Sequence, residues 1–396
     1  MGGPRVIMGH SRGLPDAPRM TKVALVANTD WYLYNFRLSL AEMLRRERFD
    51  LVLISPRGPF VVEFARNGIP WREWQVGRQS LAPWSEAAAL LQLTRLYRQE
   101  RPEIAHHFTV KPVIYGALAA EWARVPCMVS SIAGLGHVFI GDDRRSRLLR
   151  PTVRALYRHA LGRRRGVTTF ENPHDQDYFQ AHRLVSHEHT RLIPGAGVDI
   201  ERFAPTPERP GAPVVVLAAR MLWTKGVGTL VEAARLLRDS HAVRIALVGE
   251  PDPGNPKTID SATLQGWARE GLVEWWGWRA AMEEVFAACH IVTLPTLGGE
   301  GVPTVLLEAA AAGRAVVTTD VPGCRDLIEH EVNGLIVPPD DAPALAAALA
   351  RLAGDASLRH RLAAAGRQRV EQRYSASVIN SQFLAVYREL LSVASG

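Results

Sequence analysis

The stretch Glu300-Gly-Val-Pro-Thr-Val-Leu-Leu-Glu308, lying between the apolar runs 291–294 and 315–318, reads as the helix of a strand–helix–strand unit. The flanking runs are short and β-branched, whereas Leu306, Leu307 and the alanines to Ala312 suit a mostly buried helix. Pro303 is placed for the first helical turn, where a missing N–H costs nothing. Such a helix start offers unpaired backbone N–H groups and the positive end of its dipole, which suits a diphosphate. At about 100° per residue, Glu300 and Glu308 come to neighbouring faces. One then reaches a sugar and the other a ribose, as acceptors for hydroxyl donors. The plainer alternative is a capping acid at Glu300 and a solvent-facing Glu308. The apolar neighbours weigh against it, because a carboxylate among them needs a partner.

Working outward, the same grammar repeats. Strand-like runs at 214–218, 244–248, 272–275, 291–294 and 315–318 alternate with helical stretches, and 342–369 is rich in helix-forming Ala, Leu and Arg. Upstream, strands are expected at 23–27, 51–54, 103–106, 127–131 and 166–170, with a helix over 33–48. Between the two series, Pro205, Pro207, Pro210 and Gly211 mark a linker. The α/β reading is therefore two doubly wound domains, 20–205 and 206–373, with a ligand cleft at the carboxyl ends of their strands. Residues 374–396 form a terminal helix and tail. Residues 1–19, rich in Gly, Pro and Arg with no apolar segment, read as a disordered extension, with Met20 as the expected start.

Composition narrows the classes. The 396-residue length favours two cores, and no apolar run is long enough to span a bilayer. Three scattered cysteines give neither a disulfide framework nor a zinc pattern, as expected in a reducing cytoplasm. The formal net charge of +7 suits anionic partners without choosing among them. Only four lysines occur, so Lys225 in a glycine-containing loop stands out. That loop, Ala218-Ala-Arg220-Met-Leu-Trp-Thr-Lys225-Gly-Val-Gly228, follows a strand and precedes a helix, the layout of an anion cradle. Arg220 offers a planar fork to phosphate oxygens and Lys225 a point charge. Two surface cations are the ordinary alternative.

These residues resemble family 4 of the retaining glycosyltransferases. Glu300 and Glu308 match its E-x7-E signature, supported by the run Leu306 to Asp326, Asn333-Gly-Leu-Ile-Val-Pro-Pro339, Arg220 with Lys225-Gly, and Ile193-Pro-Gly-Ala-Gly-Val-Asp199. The resemblance runs from Lys22 to about Tyr374. It implies a GT-B fold, two Rossmann-like domains facing a central cleft, with the acceptor bound by the first domain and the donor by the second. The terminal helix is implied to cross back to the first domain. Arg220 and Lys225 would stabilise the nucleoside diphosphate leaving group. Glu308 would hold the ribose, and Glu300 with the amides of Gly301 and Val302 the donor sugar, near Pro303 and Thr304. Trp278 and Arg279 fall where the family meets the base. No metal or other cofactor is implied, and neither glutamate is assigned as a nucleophile, although paired carboxylates also suit a hydrolase.

On the first-half side, the candidates for an acceptor are Asp30, Asn35 and Arg37 after the first strand, and His107 and Lys111 after another. An N-cap at Asp30 and a core histidine are the ordinary alternatives. Ser130-Ser-Ile-Ala-Gly134-Leu-Gly136-His137 opens a glycine-rich stretch with the wrong spacing for a dinucleotide fingerprint. It resembles the loop in which many family members carry His-Gly. Here Ala133 precedes Gly134, leaving backbone groups or His137 for that role.

The forms Ile132-Ala-Gly-Leu-Gly136, Lys111-Pro-Val-Ile-Tyr-Gly116 and Pro322-Gly-Cys-Arg325 are most similar to members that extend lipid-linked saccharides, often with N-acetylhexosamine from a UDP donor. The arginine-rich stretch 144–165, with Leu148, Leu149, Val153, Leu156 and Leu161, reads as a basic amphipathic helix for anionic headgroups. This implies a peripheral position on the inner face of the plasma membrane. A solvated helix is the alternative. A nucleic-acid stripe would need interleaved aromatics or a known module, and neither occurs. Two other functions share the fold: a UDP-N-acetylhexosamine 2-epimerase, which needs no acceptor, and a non-catalytic scaffold in polysaccharide assembly.

Overall fold

The computed structural model describes residues 20–77, 82–135, 139, 144–162, 165–238 and 243–395. The expectations for residues 1–19 and for His137 lie outside these residues. Two wholly parallel sheets carry the fold. The first has the order β3-β2-β1-β4-β5-β6-β7, built from β1 (Lys22–Val26), β2 (Asp50–Ser55), β3 (Trp71–Glu73), β4 (Ile104–Phe108), β5 (Cys127–Ile132), β6 (Gly166–Phe170) and β7 (Thr190–Leu192). The second has the order β10-β9-β8-β11-β12-β13. Its strands are β8 (Val214–Ala218), β9 (Arg244–Val248), β10 (Glu274–Gly277), β11 (Ile291–Leu294), β12 (Ala315–Thr319) and β13 (Leu335–Val337).

Helices cover both faces of each sheet, so the central strands are apolar along their length rather than alternating. Val23 to Ala27 and Val214 to Ala218 are all buried. The short edge strands β3, β7 and β13 escape a reading based on apolar runs because they carry three residues each. The helix-rich 342–369 stretch divides into Ala342–Gly354 and Ala356–Arg373. At the break, the Asp355 side chain accepts the Leu358 N–H and caps the second helix.

In each sheet the strand order reverses at one place, between β1 and β4 in the first and between β8 and β11 in the second. Loops leaving adjacent strands there diverge to opposite faces and open a crevice at the carboxyl ends. The residues after β8 and β11 are the Arg220–Lys225 loop and the segment leading to Glu300. The sheet order therefore joins the two motifs that the sequence separates.

The chain crosses between the sheets twice. Val198 donates its N–H to the Tyr374 carbonyl and accepts from the Ala376 N–H, making a two-strand bridge. The helix Ala376–Ser395 then lies on the first sheet. Its Ile379, Phe383, Tyr387 and Leu390 pack with Val23, Leu25, Leu40 and Leu44. Burying each such large side chain contributes about 1.5–3 kcal/mol. Buried polar groups fix the register: Tyr387 Oη lies 2.5 Å from His106 Nδ1, and Ser131 Oγ 2.7 Å from His106 Nε2. Burial holds the His106 pKa well below the usual histidine range, so the neutral ring has one donor and one acceptor nitrogen for these two partners.

Candidate active site

Lys225 ends a short 3-10 turn, Trp223–Lys225, and Gly226 follows at φ +73°. A Cβ at Gly226 would stand 1.8 Å from the Pro295 carbonyl oxygen, so only glycine lets the β8 and β11 loops touch. That contact sets Lys225 Nζ 2.5 Å from Glu300 Oε1, with the Thr296 hydroxyl donating to the same oxygen at 2.8 Å. The pair stands at the approach to the helix Thr304–Ala311. Pro303 is the N-cap residue, one position earlier than the sequence suggests. Its extended ψ of 112° turns the chain into the helix while its carbonyl accepts from Leu306.

Glu308 lies half-buried on the same helix. Burial pushes its carboxyl up to about 7; the Arg202 charge opposes this and Glu283 adds to it. Arg202 and Glu283 are themselves paired at 2.8 Å, so a residue just before the linker and a second-half helix face Glu308 together. Arg220 turns toward Asp252, with Nη1 at 2.5 Å from Oδ2, and leaves its other N–H donors at the rim. Trp278 and Arg279 are exposed at the end of β10 and flank an open depression of about 540 Å³ with Trp276 and Glu284. The Trp278 N–H donates to Glu250.

The first half reaches this site through residues that the sequence reading passed over. Glu171, immediately after β6, accepts the Val302 N–H at 3.0 Å. Asn172 donates to the Glu300 carbonyl oxygen at 3.4 Å and caps the helix Pro173–Ala181. Burial pushes Glu171 up to about 7, against the Val302 amide and the Arg37 charge and with the charges of Asp175 and Glu300. Its only local signal is its place between a strand end and Asn-Pro, a helix-start dipeptide. Gly134 meets the same turn: a Cβ there would lie 3.3 Å from the Gly299 oxygen and 3.4 Å from the Gly301 nitrogen.

The remaining acceptor-side residues are distributed differently from the sequence expectation. Asp30 is not the N-cap; Thr29 is, and Asp30 accepts the N–H groups of Trp31 and Phe60. Asn35 is exposed, and its side-chain amide donates to the Trp31 carbonyl. His107 faces the core rather than the cleft because alternate residues of β4 point to opposite faces. Its Nε2 lies 2.9 Å from Tyr97 Oη, and burial lowers its pKa to about 3. Lys111 is ion-paired with Glu86 at 2.8 Å.

Arg37 is almost fully buried. It stacks on Phe108 at 4.3 Å and donates to Tyr32 Oη, and its Nε is buried without a partner. Thr109, leaving β4, holds the unusual φ of +71°, ψ 164° for a β-branched residue, backbone strain at the switch point itself.

Two facing parallel-sheet domains, with a lysine and a carboxylate at a helix start between them, have the architecture of the GT-B glycosyltransferases. Solved structures carry the same fold. The sucrose-phosphate synthase of Thermosynechococcus elongatus aligns with TM-score 0.80 at 20% identity, over 94% of this chain and all of the other. Anabaena HepE, in complex with UDP and glucose, aligns with TM-score 0.74 at 20% identity over 93% of this chain and all of the other.

In sequence, residues 212–355 match the family Glycosyl transferases group 1, and residues 22–165 match Glycosyl transferase 4-like. The chain is a glycosyltransferase that carries both of these glycosyltransferase domains. It is 25% identical to the N,N'-diacetylbacillosaminyl-diphospho-undecaprenol alpha-1,3-N-acetylgalactosaminyltransferase of Campylobacter jejuni, over 93% of this chain and 99% of that protein. It is 23% identical to the UDP-Gal:alpha-D-GlcNAc-diphosphoundecaprenol alpha-1,3-galactosyltransferase of Escherichia coli, over 81% and 84% of the two chains.

Proposed function

We propose that this glycosyltransferase moves a hexose or N-acetylhexosamine from a UDP donor to a lipid-linked saccharide, with retention of anomeric configuration. The observation that carries the reading is the Lys225–Glu300 pair at the approach to the helix Thr304–Ala311, between the ends of β8 and β11. An ammonium and the positive end of a helix dipole meet there, where a diphosphate would gain charge as its bond to the sugar breaks. Arg220 at the rim adds a second cation. Glu300 accepts sugar hydroxyls, and the half-buried Glu308 accepts those of the ribose. Trp278 and Arg279 flank the base. In a front-face reaction the acceptor oxygen bonds to the anomeric carbon as the bond to phosphate breaks on that side, and the acceptor proton passes to the departing diphosphate. No enzyme nucleophile is needed.

The activities of the two relatives support a diphosphoundecaprenol saccharide as the acceptor class. No helix among the described residues is long and apolar enough to cross a membrane. We place the contact with anionic lipid on the helix Arg144–Leu161, at the membrane's inner face. Leu148 is 80% exposed there beside the exposed Arg147, although Tyr157 and Leu161 are buried against the protein. The test is nucleotide release from a panel of UDP- and GDP-sugars, with and without lipid-diphosphate saccharides. Release requiring one UDP-sugar and the lipid supports the reading. Turnover without acceptor indicates an epimerase, and no turnover under any condition indicates a different acceptor or a scaffold.

A further inference from the structure

Glu171 follows a strand of the first sheet, yet its carboxylate rests on the backbone turn of the second half that leads into the helix Thr304–Ala311. Oε2 is 3.0 Å from the Val302 nitrogen, and a Cβ built on Gly301 would lie 2.1 Å from the same oxygen. It is therefore packed against the turn rather than passing over it. The Glu300 carboxylate is a like-charged neighbour of Glu171, already paired with Lys225. A third anion, the diphosphate expected at this helix start, would meet both. The charge of the buried Arg37 also acts on Glu171, and its Nε has no hydrogen-bond partner. A buried guanidinium nitrogen left unpaired is costly and marks a position that a carboxylate can satisfy.

Resting on the donor reading above, we propose that Glu171 competes with the nucleoside diphosphate for the turn at Gly301–Val302, and that it transfers to Arg37 when the donor binds. The carboxylate then has two seats. On the Val302 amide it holds the two halves together, helped by Asn172 on the Glu300 carbonyl. On Arg37 it clears the turn and places its charge against a cation instead of against phosphate. The donor must supply the difference between the two seats, so donor affinity depends on the charge of Glu171. Facing Glu171 are Tyr32 and Arg37 from the helix Asp30–Arg46, Asp175 from the helix Pro173–Ala181, and Glu300. All four stay unchanged when Glu171 alone is replaced.

The test is the affinity of UDP for the full-length protein and for Glu171→Gln, measured calorimetrically from pH 5.5 to pH 8.5. Thermal melting of both proteins checks that each is folded. The competing anion is lost in the variant, so it should bind UDP on the order of tenfold more tightly at pH 8. The two proteins should converge near pH 5.5, where the wild-type carboxyl is protonated. Titration of UDP itself, and of Glu308, occurs in both and cancels in the ratio. Arg37→Met should weaken UDP binding in the wild type but not in the Glu171→Gln background. Equal or weaker UDP binding by Glu171→Gln across the range overturns the competition. UDP binding to neither protein overturns the donor reading, and the competition with it.

Discussion

In the proposed reaction Lys225 supplies the charge that the departing diphosphate needs, and the close approach of Gly226 to Pro295 holds it in place. Lys225→Ala should lower kcat by about a hundredfold to a thousandfold, the usual loss when one transition-state electrostatic partner is removed. A steady-state assay with the cognate donor checks this, and a chelator should leave the wild-type rate unchanged. The two carboxyls held near pH 7 make a separate prediction. A Glu with a raised folded-state pKa retains its proton in the native state while the unfolded chain has lost it. Stability therefore falls as pH rises from about 4.5 to about 7. Denaturant unfolding should show this fall, and Glu171→Gln combined with Glu308→Gln should flatten it. Lys225, Glu300 and Glu308 were legible because backbone signals placed them: a strand end, a glycine, a helix start. His107, Lys111 and Asp30 were not. Their direction depends on Tyr97, Glu86 and Phe60, whose nearness only the tertiary fold supplies. Glu171 stayed hidden because nothing in Phe-Glu-Asn-Pro distinguishes a cleft carboxylate from an exposed one.

The alternation of apolar runs and helical stretches was readable because parallel strands buried on both faces are uniformly hydrophobic. Three-residue edge strands leave too little pattern to see. The terminal helix was expected to cross back, but its anchoring was not visible, because Tyr387 and His106 are 281 positions apart. Tyr387→Phe removes the hydroxyl and leaves His106 Nδ1 buried without a partner. It should cost about 1–3 kcal/mol in denaturant unfolding. UDP affinity should change little, since neither Tyr387 nor His106 is assigned to the donor. A larger loss confined to UDP binding would mean that the helix shapes the site directly.

At the scale of the molecule, two sheets share the same grammar, and the cleft exists because each reverses its strand order at one place. The net charge of +7 could not by itself select a partner, and the arginine-rich helix shows why. Arg154 and Arg158 bond to the protein at Tyr178 and Arg183, while Leu148 projects outward. Leu148→Asp should weaken sedimentation with anionic vesicles at low salt and leave neutral vesicles indifferent. Equal sedimentation of both proteins would remove this helix from the membrane reading. The central claim is that sugar transfer runs through Lys225 at the helix start. Its most direct test is to follow label from a UDP-sugar into lipid-diphosphate saccharide with wild type and Lys225→Ala side by side. Labelled lipid product is expected from the wild type and almost none from the variant at matched folding. Equal transfer by both would contradict it.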